Sequence, residues 1–263
     1  MDIPGILAMV IGFILVTVIG IFLSGGNPME FVQIASVLIT IGGTTCAIII
    51  SSPWGRVVNT MKIVGIAFNP PKENPAETIL MLVSFSEKAR REGLLALEDD
   101  LDELKDDFLQ KGIQLVVDGT DPELVRSILE TDLGNIEARH GGAKQMFDDA
   151  GTFAPSFGMI GTLIGLIIML KHIEDKSMLG SGMATALITT YYGTLLANLM
   201  FIPIANKLRE RNNEEVLMKE IMIQGTLAIQ SGDNPRIVKD RLVSFLPPAL
   251  RDQVTEGVDE RMR

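Results

Sequence analysis

The chain has 263 residues, 47% hydrophobic and 21% charged, with a formal net charge of -10. Its mean hydropathy of +0.30 is high for a soluble domain and fits a chain divided between membrane and aqueous parts. The acidic balance argues against a nucleic-acid partner and a polybasic membrane-surface mode, both of which need clustered Lys and Arg.

Four stretches carry no charged residue: Ile3–Met29, Phe31–Gly55, Ala150–Leu170 and Ser177–Asn206. Each is long enough to span a bilayer as a helix, which takes about 20 apolar residues. The first lacks a basic leader and is longer than the apolar part of a signal peptide, so it reads as a retained helix over Ile6–Leu23. The string Ser24-Gly25-Gly26-Asn27-Pro28 predicts a turn, making the first two spans a hairpin. The second span holds the one cysteine, Cys46. No internal disulfide is possible, and Cys46 is expected to be a packed small side chain. Trp54, at the end of this span, fits an interfacial anchor.

Arg56 and Lys62 follow span two, and Lys207, Arg209 and Arg211 follow span four. The positive-inside rule therefore predicts cytoplasmic placement of 56–149, 207–263 and both termini. The long loop reads as helical. Pro75-Ala76-Glu77 opens a run whose apolar residues recur every three or four positions through Leu94, Leu97, Leu101 and Phe108, which predicts a continuous helix. Gly112 reads as its end or interruption, and Ile113–Val117 as a short extended piece. A further helix starts at a Thr120 or Asp121 cap with Pro122 in its first turn. Gly141-Gly142 is expected to loosen it. An amphipathic helix follows span four, broken at Ser231-Gly232-Asp233-Asn234-Pro235. A short helix then reaches Leu246, and Thr255–Arg263 reads as frayed.

The fold class is thus all-α: a polytopic membrane protein with four transmembrane helices and a helical cytoplasmic domain. The expected divisions are a hairpin at 1–52, a cytoplasmic domain at 53–149, spans three and four at 150–206, and cytoplasmic helices at 207–263.

Spans three and four hold the residues that point to chemistry. Gly158, Gly161 and Gly165 share one helical face, and Ala186, Thr190, Gly193 and Ala197 share another. Such small-residue faces let helices approach closely. Thr162, Thr189 and Thr190 put hydroxyls in the membrane interior; these either bond their own helix or offer oxygen ligands to a cation. Pro155 and Pro203 each remove a backbone donor. No span contains Asp, Glu, Lys, Arg or His, so a proton relay has no titratable carrier of its own here. Asp148 and Asp149 border span three, either concentrating cations or serving as ordinary interfacial charges. In the loop, Arg90 and Glu98 stand eight residues apart, which is ~12 Å and ~80° on a continuous helix. No catalytic triad, P-loop or zinc motif occurs, and no metal site or cofactor is expected; His140 and His172 lack ligand-like neighbours.

The string Ala186-Leu187-Ile188-Thr189-Thr190-Tyr191-Tyr192-Gly193-Thr194-Leu195 with Pro203, the string Pro155 to Thr162, and the loop string Arg90-Arg91-Glu92-Gly93-Leu94-Leu95-Ala96-Leu97-Glu98 resemble the MotA/PomA flagellar stator family. The order of parts is similar across essentially the whole chain. The resemblance implies a ring of five subunits around two copies of a single-span MotB/PomB-like partner whose membrane Asp carries the ion. It implies a bacterial plasma-membrane motor component, not an enzyme, that turns the rotor protein FliG through Arg90 and Glu98. It assigns conformational roles to Pro155 and Pro203. It sets Thr162 and Thr190 near a sodium path with Thr189 beside them, favouring Na⁺ over H⁺ as the transported cation. A membrane scaffold without ion flux explains the glycine faces equally well. The TolQ/ExbB energisers share the logic but usually have one helix before the large loop, where this chain has two.

Overall fold

The structure, a computed structural model, describes residues 2–69, 74–248 and 251, with the side chains of 176 and 177 outside the description. The frayed tail expected at Thr255–Arg263 lies outside the described residues. Those residues form α1 (Ile3–Leu23), α2 (Ile34–Ser51), α3 (Trp54–Val58), α4 (Thr60–Phe68), α5 (Pro75–Glu92), a 3₁₀ stretch (Leu94–Glu103), α6 (Asp107–Val117), α7 (Pro122–Lys171), α8 (Met178–Gln230) and α9 (Pro235–Val243). No strand occurs among them. By length and composition α1, α2, α7 and α8 are suited to cross a membrane. Single π-helical turns interrupt α1 at Leu15–Ile19, α2 at Leu38–Gly42 and α8 at Ala197–Phe201.

The chain divides into two compact units. The first comprises Met1–Pro70 and His140–Arg211. Asp2 caps α1 by accepting the Gly5 N–H at 3.1 Å, satisfying one orphan donor of the first turn. Leu7, Val10, Ile11, Phe13 and Ile14 of α1 are exposed, as a lipid-facing helix requires. The turn after α1 uses Gly25 at φ +79, a conformation that glycine adopts without steric cost. Gly43 of α2 lies directly against the Phe157 ring of α7, leaving no space for a methyl. Ala67, Met146, Phe147, Ile204, Ala205 and Leu208 form a buried cluster joining α4, α7 and α8. Gly142 does not loosen α7: the helix runs unbroken, and the Arg56 guanidinium packs where a Gly142 side chain would stand. Cys46 is exposed rather than packed, because the buried stripe of α2 runs through Ser36, Thr40 and Thr44.

The second unit comprises Pro71–Arg139 and Asn212–Arg263. Ile79 and Leu82 of α5, Leu97 of the 3₁₀ stretch, Ile113 of α6, Leu129 of α7, Ile221 and Ile229 of α8, and Leu242 of α9 are fully buried in one core. Burying side chains of this size stabilises by roughly 1.5–3 kcal/mol each before entropy is counted. Gly225 lets α8 approach α5: a methyl there would sit 2.6 Å from Leu82 Cδ1. Side-chain caps fix the helix starts. Asn74 accepts from Ala76 N–H, Asp106 from Phe108 and Leu109, Asp121 from Glu123 and Leu124, and Asn234 from Arg236.

Three expectations for this unit are corrected. The run expected to be continuous breaks at Gly93, whose φ of +90 ends α5. Ile113–Val117 is helical, not extended, within the Asp106-capped α6. Gly112 neither ends nor interrupts that helix: it is buried in contact range of Leu129 and Thr226, where its small size is used for packing.

Candidate functional site: the seam of α7 and α8

The seam is built by small residues that bring two backbones together. A methyl on Gly165 would lie 2.5 Å from the Gly182 carbonyl, and one on Gly182 would lie 2.8 Å from the Gly165 carbonyl. A methyl on Gly158 would lie 3.0 Å from the Thr189 carbonyl, and one on Gly161 would overlap the Thr189 side chain. Gly193 faces the Ala154 carbonyl and Pro155 Cα with no space between them. Ala186 and Ala197 are buried. Gly182 extends the spacing of Ala186, Thr190, Gly193 and Ala197 one turn earlier, a signal present in the sequence but not singled out. Close backbone contact of this kind replaces the missing hydrophobic drive between helices in lipid.

The three threonines do not act alike. Thr162 and Thr190 meet across the seam, their hydroxyl oxygens 2.5 Å apart. Thr162 Oγ1 also lies 3.0 Å from the Ala186 carbonyl and 3.2 Å from that of Gly158. Thr190 Oγ1 lies 3.3 Å from the Ala186 carbonyl. Thr162 is half-buried and Thr190 exposed, whereas Thr189 is fully buried. The Thr189 hydroxyl donates within α8, towards the Thr185 and Ala186 carbonyls. The seam thus presents a pair of hydroxyls, with Thr189 packed behind them.

Pro155 lies inside α7. Its missing N–H leaves the Gly151 carbonyl without its usual helical donor. Gly151 in turn packs on Ile202, the residue before Pro203, so closely that a methyl on Gly151 would lie 2.9 Å from Ile202 Cγ1. The two prolines therefore mark one stretch of the seam. The π-helical turn at Ala197–Phe201 ends just before Pro203, and Ile202 N–H bonds the Ala197 carbonyl five residues back. A proline ring crowds the carbonyl four residues earlier, here Leu199, and the widened turn relieves that crowding.

Behind α8 lies a polar ladder on α2 that sequence reading passed over. Gln33 Nε2 donates to Thr185 Oγ1 at 2.7 Å, and Ser36 Oγ donates to Gln33 Oε1 at 2.6 Å. Thr40 Oγ1 donates to the Thr189 carbonyl at 3.3 Å. Tyr192 donates to the Phe31 carbonyl, and the Phe31 and Tyr191 rings meet edge-on at 5.5 Å. The available signal was the four-residue spacing of Ser36, Thr40 and Thr44 on an otherwise apolar span.

Asp148 pairs with Lys144 of the preceding turn, and Asp149 accepts from Gln145 Nε2 at 2.8 Å. In the second unit, Arg90 closes α5 and Glu98 lies in the 3₁₀ stretch; both are exposed. Gly93 separates them, so the spacing expected of one continuous helix does not apply. Lys88 and Asp100 form an ion pair at 2.7 Å across the same break. The hydrogen bond to Asp100 raises the Lys88 pKa above its ordinary value.

Four apolar spans, a strand-free fold among the described residues and a glycine-lined seam holding hydroxyls define a multi-pass, all-α membrane protein. Residues 100–221 match the family described as the MotA/TolQ/ExbB proton channel family. The chain is 45% identical over 228 residues to Motility protein A of Borreliella burgdorferi, covering 87% of this chain and 88% of that protein. It is 38% identical over 246 residues to the chemotaxis protein PomA of Vibrio alginolyticus, covering 94% and 96%. It superposes on the structure of the flagellar MotAB stator complex from Bacillus subtilis with a TM-score of 0.85 and 32% identity, covering 95% of this chain and 97% of that one. The chain belongs to the MotA/TolQ/ExbB family, a family of ion channels rather than of enzymes, among its Motility protein A members.

Proposed function

We propose that this chain is the channel-forming subunit of a flagellar stator in the bacterial inner membrane, coupling cation flow to torque on the rotor. The observation that carries this reading is the Thr162–Thr190 pair: two hydroxyl oxygens on a tightly packed seam, within spans that hold no Asp, Glu, Lys, Arg or His. Oxygen ligands suit a partly dehydrated cation. The missing carboxylate calls for a partner, a single-span MotB/PomB-like protein carrying a membrane Asp. Five copies of this chain surround two of that partner.

Thr162 and Thr190 line the path, Thr189 shapes it from the packed side, and the hydroxyls favour Na⁺ over H⁺. Pro155 and Pro203 let the two helices flex where backbone bonds are already missing. Gly158, Gly161, Gly165, Ala186, Gly193 and Ala197 hold the helices close enough for both threonines to meet. The basic residues after spans two and four put 56–149, 207–263 and both termini in the cytoplasm. There Arg90 and Glu98, exposed on either side of Gly93, engage the rotor protein FliG.

The test is a motile strain powered only by this chain and its single-span partner. Swimming speed at fixed pH rises with external sodium. Arg90→Glu and Glu98→Lys each abolish swimming while the complex still assembles. Speed indifferent to sodium overturns the choice of cation; unimpaired swimming by both charge reversals overturns the rotor contact.

A further inference from the structure

Thr17, Thr44 and Thr152 each donate a hydroxyl to the carbonyl four residues back in their own helix. That is the ordinary resting place for a threonine hydroxyl in lipid, and it carries no tertiary information. Thr40 differs. It is fully buried, lies within the π-helical turn at Leu38–Gly42, and donates to the Thr189 carbonyl of α8.

That acceptor occupies a particular place. The Thr189 carbonyl also faces Gly158 of α7, close enough that a methyl there would touch it. Three helices thus converge on one peptide: α2 through the Thr40 hydroxyl, α8 through the carbonyl itself, and α7 through the bare Gly158 backbone. The next residue is Thr190, whose hydroxyl meets Thr162. A carbonyl oxygen has two lone pairs, so Thr40 adds a second donor to a group that the helix also uses. Removing it leaves no orphaned acceptor. What it removes is a directional tie that sets the height and rotation of α8 at the threonine pair. Gln33 repeats the tie one turn earlier on α8, through Thr185.

We propose that Thr40, with Gln33 as its second anchor, is a positioning residue for the cation path. It contacts no ion. It fixes the Thr189–Thr190 peptide against α7, and so sets the separation of the Thr162 and Thr190 oxygens. This inference rests on the stator reading above.

The experiment compares wild type, Thr40→Val and Thr40→Ser in the strain powered only by this chain and its single-span partner. Swimming speed is recorded against external sodium at fixed pH, and against pH at fixed sodium. Complex in the membrane is quantified in parallel. Thr40→Val keeps the side-chain shape without the donor. It is expected to shift the half-saturating cation concentration by about threefold, the equivalent of one typical interhelical hydrogen bond in a membrane, with complex abundance unchanged. Thr40→Ser is expected to restore the wild-type value. Gln33→Met is expected to shift it in the same direction. An unshifted half-saturation in Thr40→Val overturns the proposal, as does a loss of speed matched by loss of complex. An immobile wild-type strain sinks the stator reading itself, which separates the two failures.

Discussion

Thr162 of α7 and Thr190 of α8 both lie within reach of the Ala186 carbonyl, at 3.0 and 3.3 Å, while their own oxygens lie 2.5 Å apart. Two hydroxyls bring two hydrogens. One lies between the oxygens and the other serves a carbonyl, so lone pairs remain on the pair for a further partner. A cation that binds there adds to the existing bonds instead of breaking into a finished network.

Replacing either threonine by valine removes an oxygen without changing side-chain shape. Thr162→Val is expected to lower cation-driven swimming by about tenfold at limiting sodium, the rate equivalent of ~1.4 kcal/mol in a barrier. Thr189→Val is expected to act differently, through packing. Its hydroxyl bonds only its own helix, so complex stability changes and sodium dependence does not. Sodium titrations of the two variants side by side separate these outcomes.

The glycines of the seam differ sharply from those outside it. Gly165→Val places carbon into the Gly182 backbone, and no flexible side chain is there to yield. The helices must separate, at a cost of ~1–3 kcal/mol or more. Gly180 has open space on its Cβ side, so Gly180→Ala is expected to be silent or slightly stabilising, by up to about 1 kcal/mol. Complex yield from solubilised membranes, with swimming as a second readout, checks both.

Asp106 carries two duties in the second unit. Its carboxylate caps α6 through the Phe108 and Leu109 N–H groups, and it pairs with Lys219, which is almost wholly buried. Losing the cap alone costs about 0.5–2 kcal/mol, and a buried cation left unpaired costs about 3–5 kcal/mol. Asp106→Ala is therefore expected to destabilise more than Asp106→Asn, which keeps the cap acceptor. Hydrogen exchange across α6 in the intact complex measures the difference; equal protection in the two variants counts against the assignment.

The Lys88–Asp100 pair ties the 3₁₀ stretch to α5 beside the exposed Arg90 and Glu98. Because the folded Lys88 pKa is raised, its contribution is fully present below the unfolded value near 10.5. It is lost as pH rises through the higher folded value. Protection of residues 94–103 in hydrogen exchange is thus expected to be insensitive to this group from neutral pH to about 10, and to fall in more alkaline buffer. Lys88→Met is expected to remove the alkaline step. Reversing both charges, Lys88→Asp with Asp100→Lys, is expected to restore the tie.

The four spans were legible because lipid tolerates no charge, and charge-free runs are rare enough to read directly. The start of α7 was legible because Asp121 and Pro122 have a local cap chemistry. The break at Gly93 was not legible, for the opposite reason. Leu94, Leu97 and Leu101 keep a spacing that serves a 3₁₀ stretch over a core as well as an α-helix, and only the backbone φ of Gly93 tells the two apart. Ile113–Val117 looked like a strand because β-branched residues prefer one, yet the Asp106 cap and burial on Leu129 made it helical. Gly141-Gly142 carried no signal of Arg56, which is distant in sequence. Thr162 and Thr190 were found by type, but their separation from Thr189 depends on which side of α8 meets α2. The ladder through Gln33, Ser36 and Thr40 was visible only as spacing.

Asp2 accepts the Gly5 N–H, its own N–H donates to the Phe68 carbonyl at 2.6 Å, and its carboxylate pairs with Lys207. This knot joins positions made at very different moments. Lys207 follows Asp2 by some two hundred residues, and at ~5–20 residues per second the ribosome takes roughly 10–40 s to deliver it. Through that interval the Asp2 carboxylate caps α1 without its lysine. The last span to be inserted is the one that closes the first, so a subunit missing α8 is marked at its N-terminus by an unpaired acid.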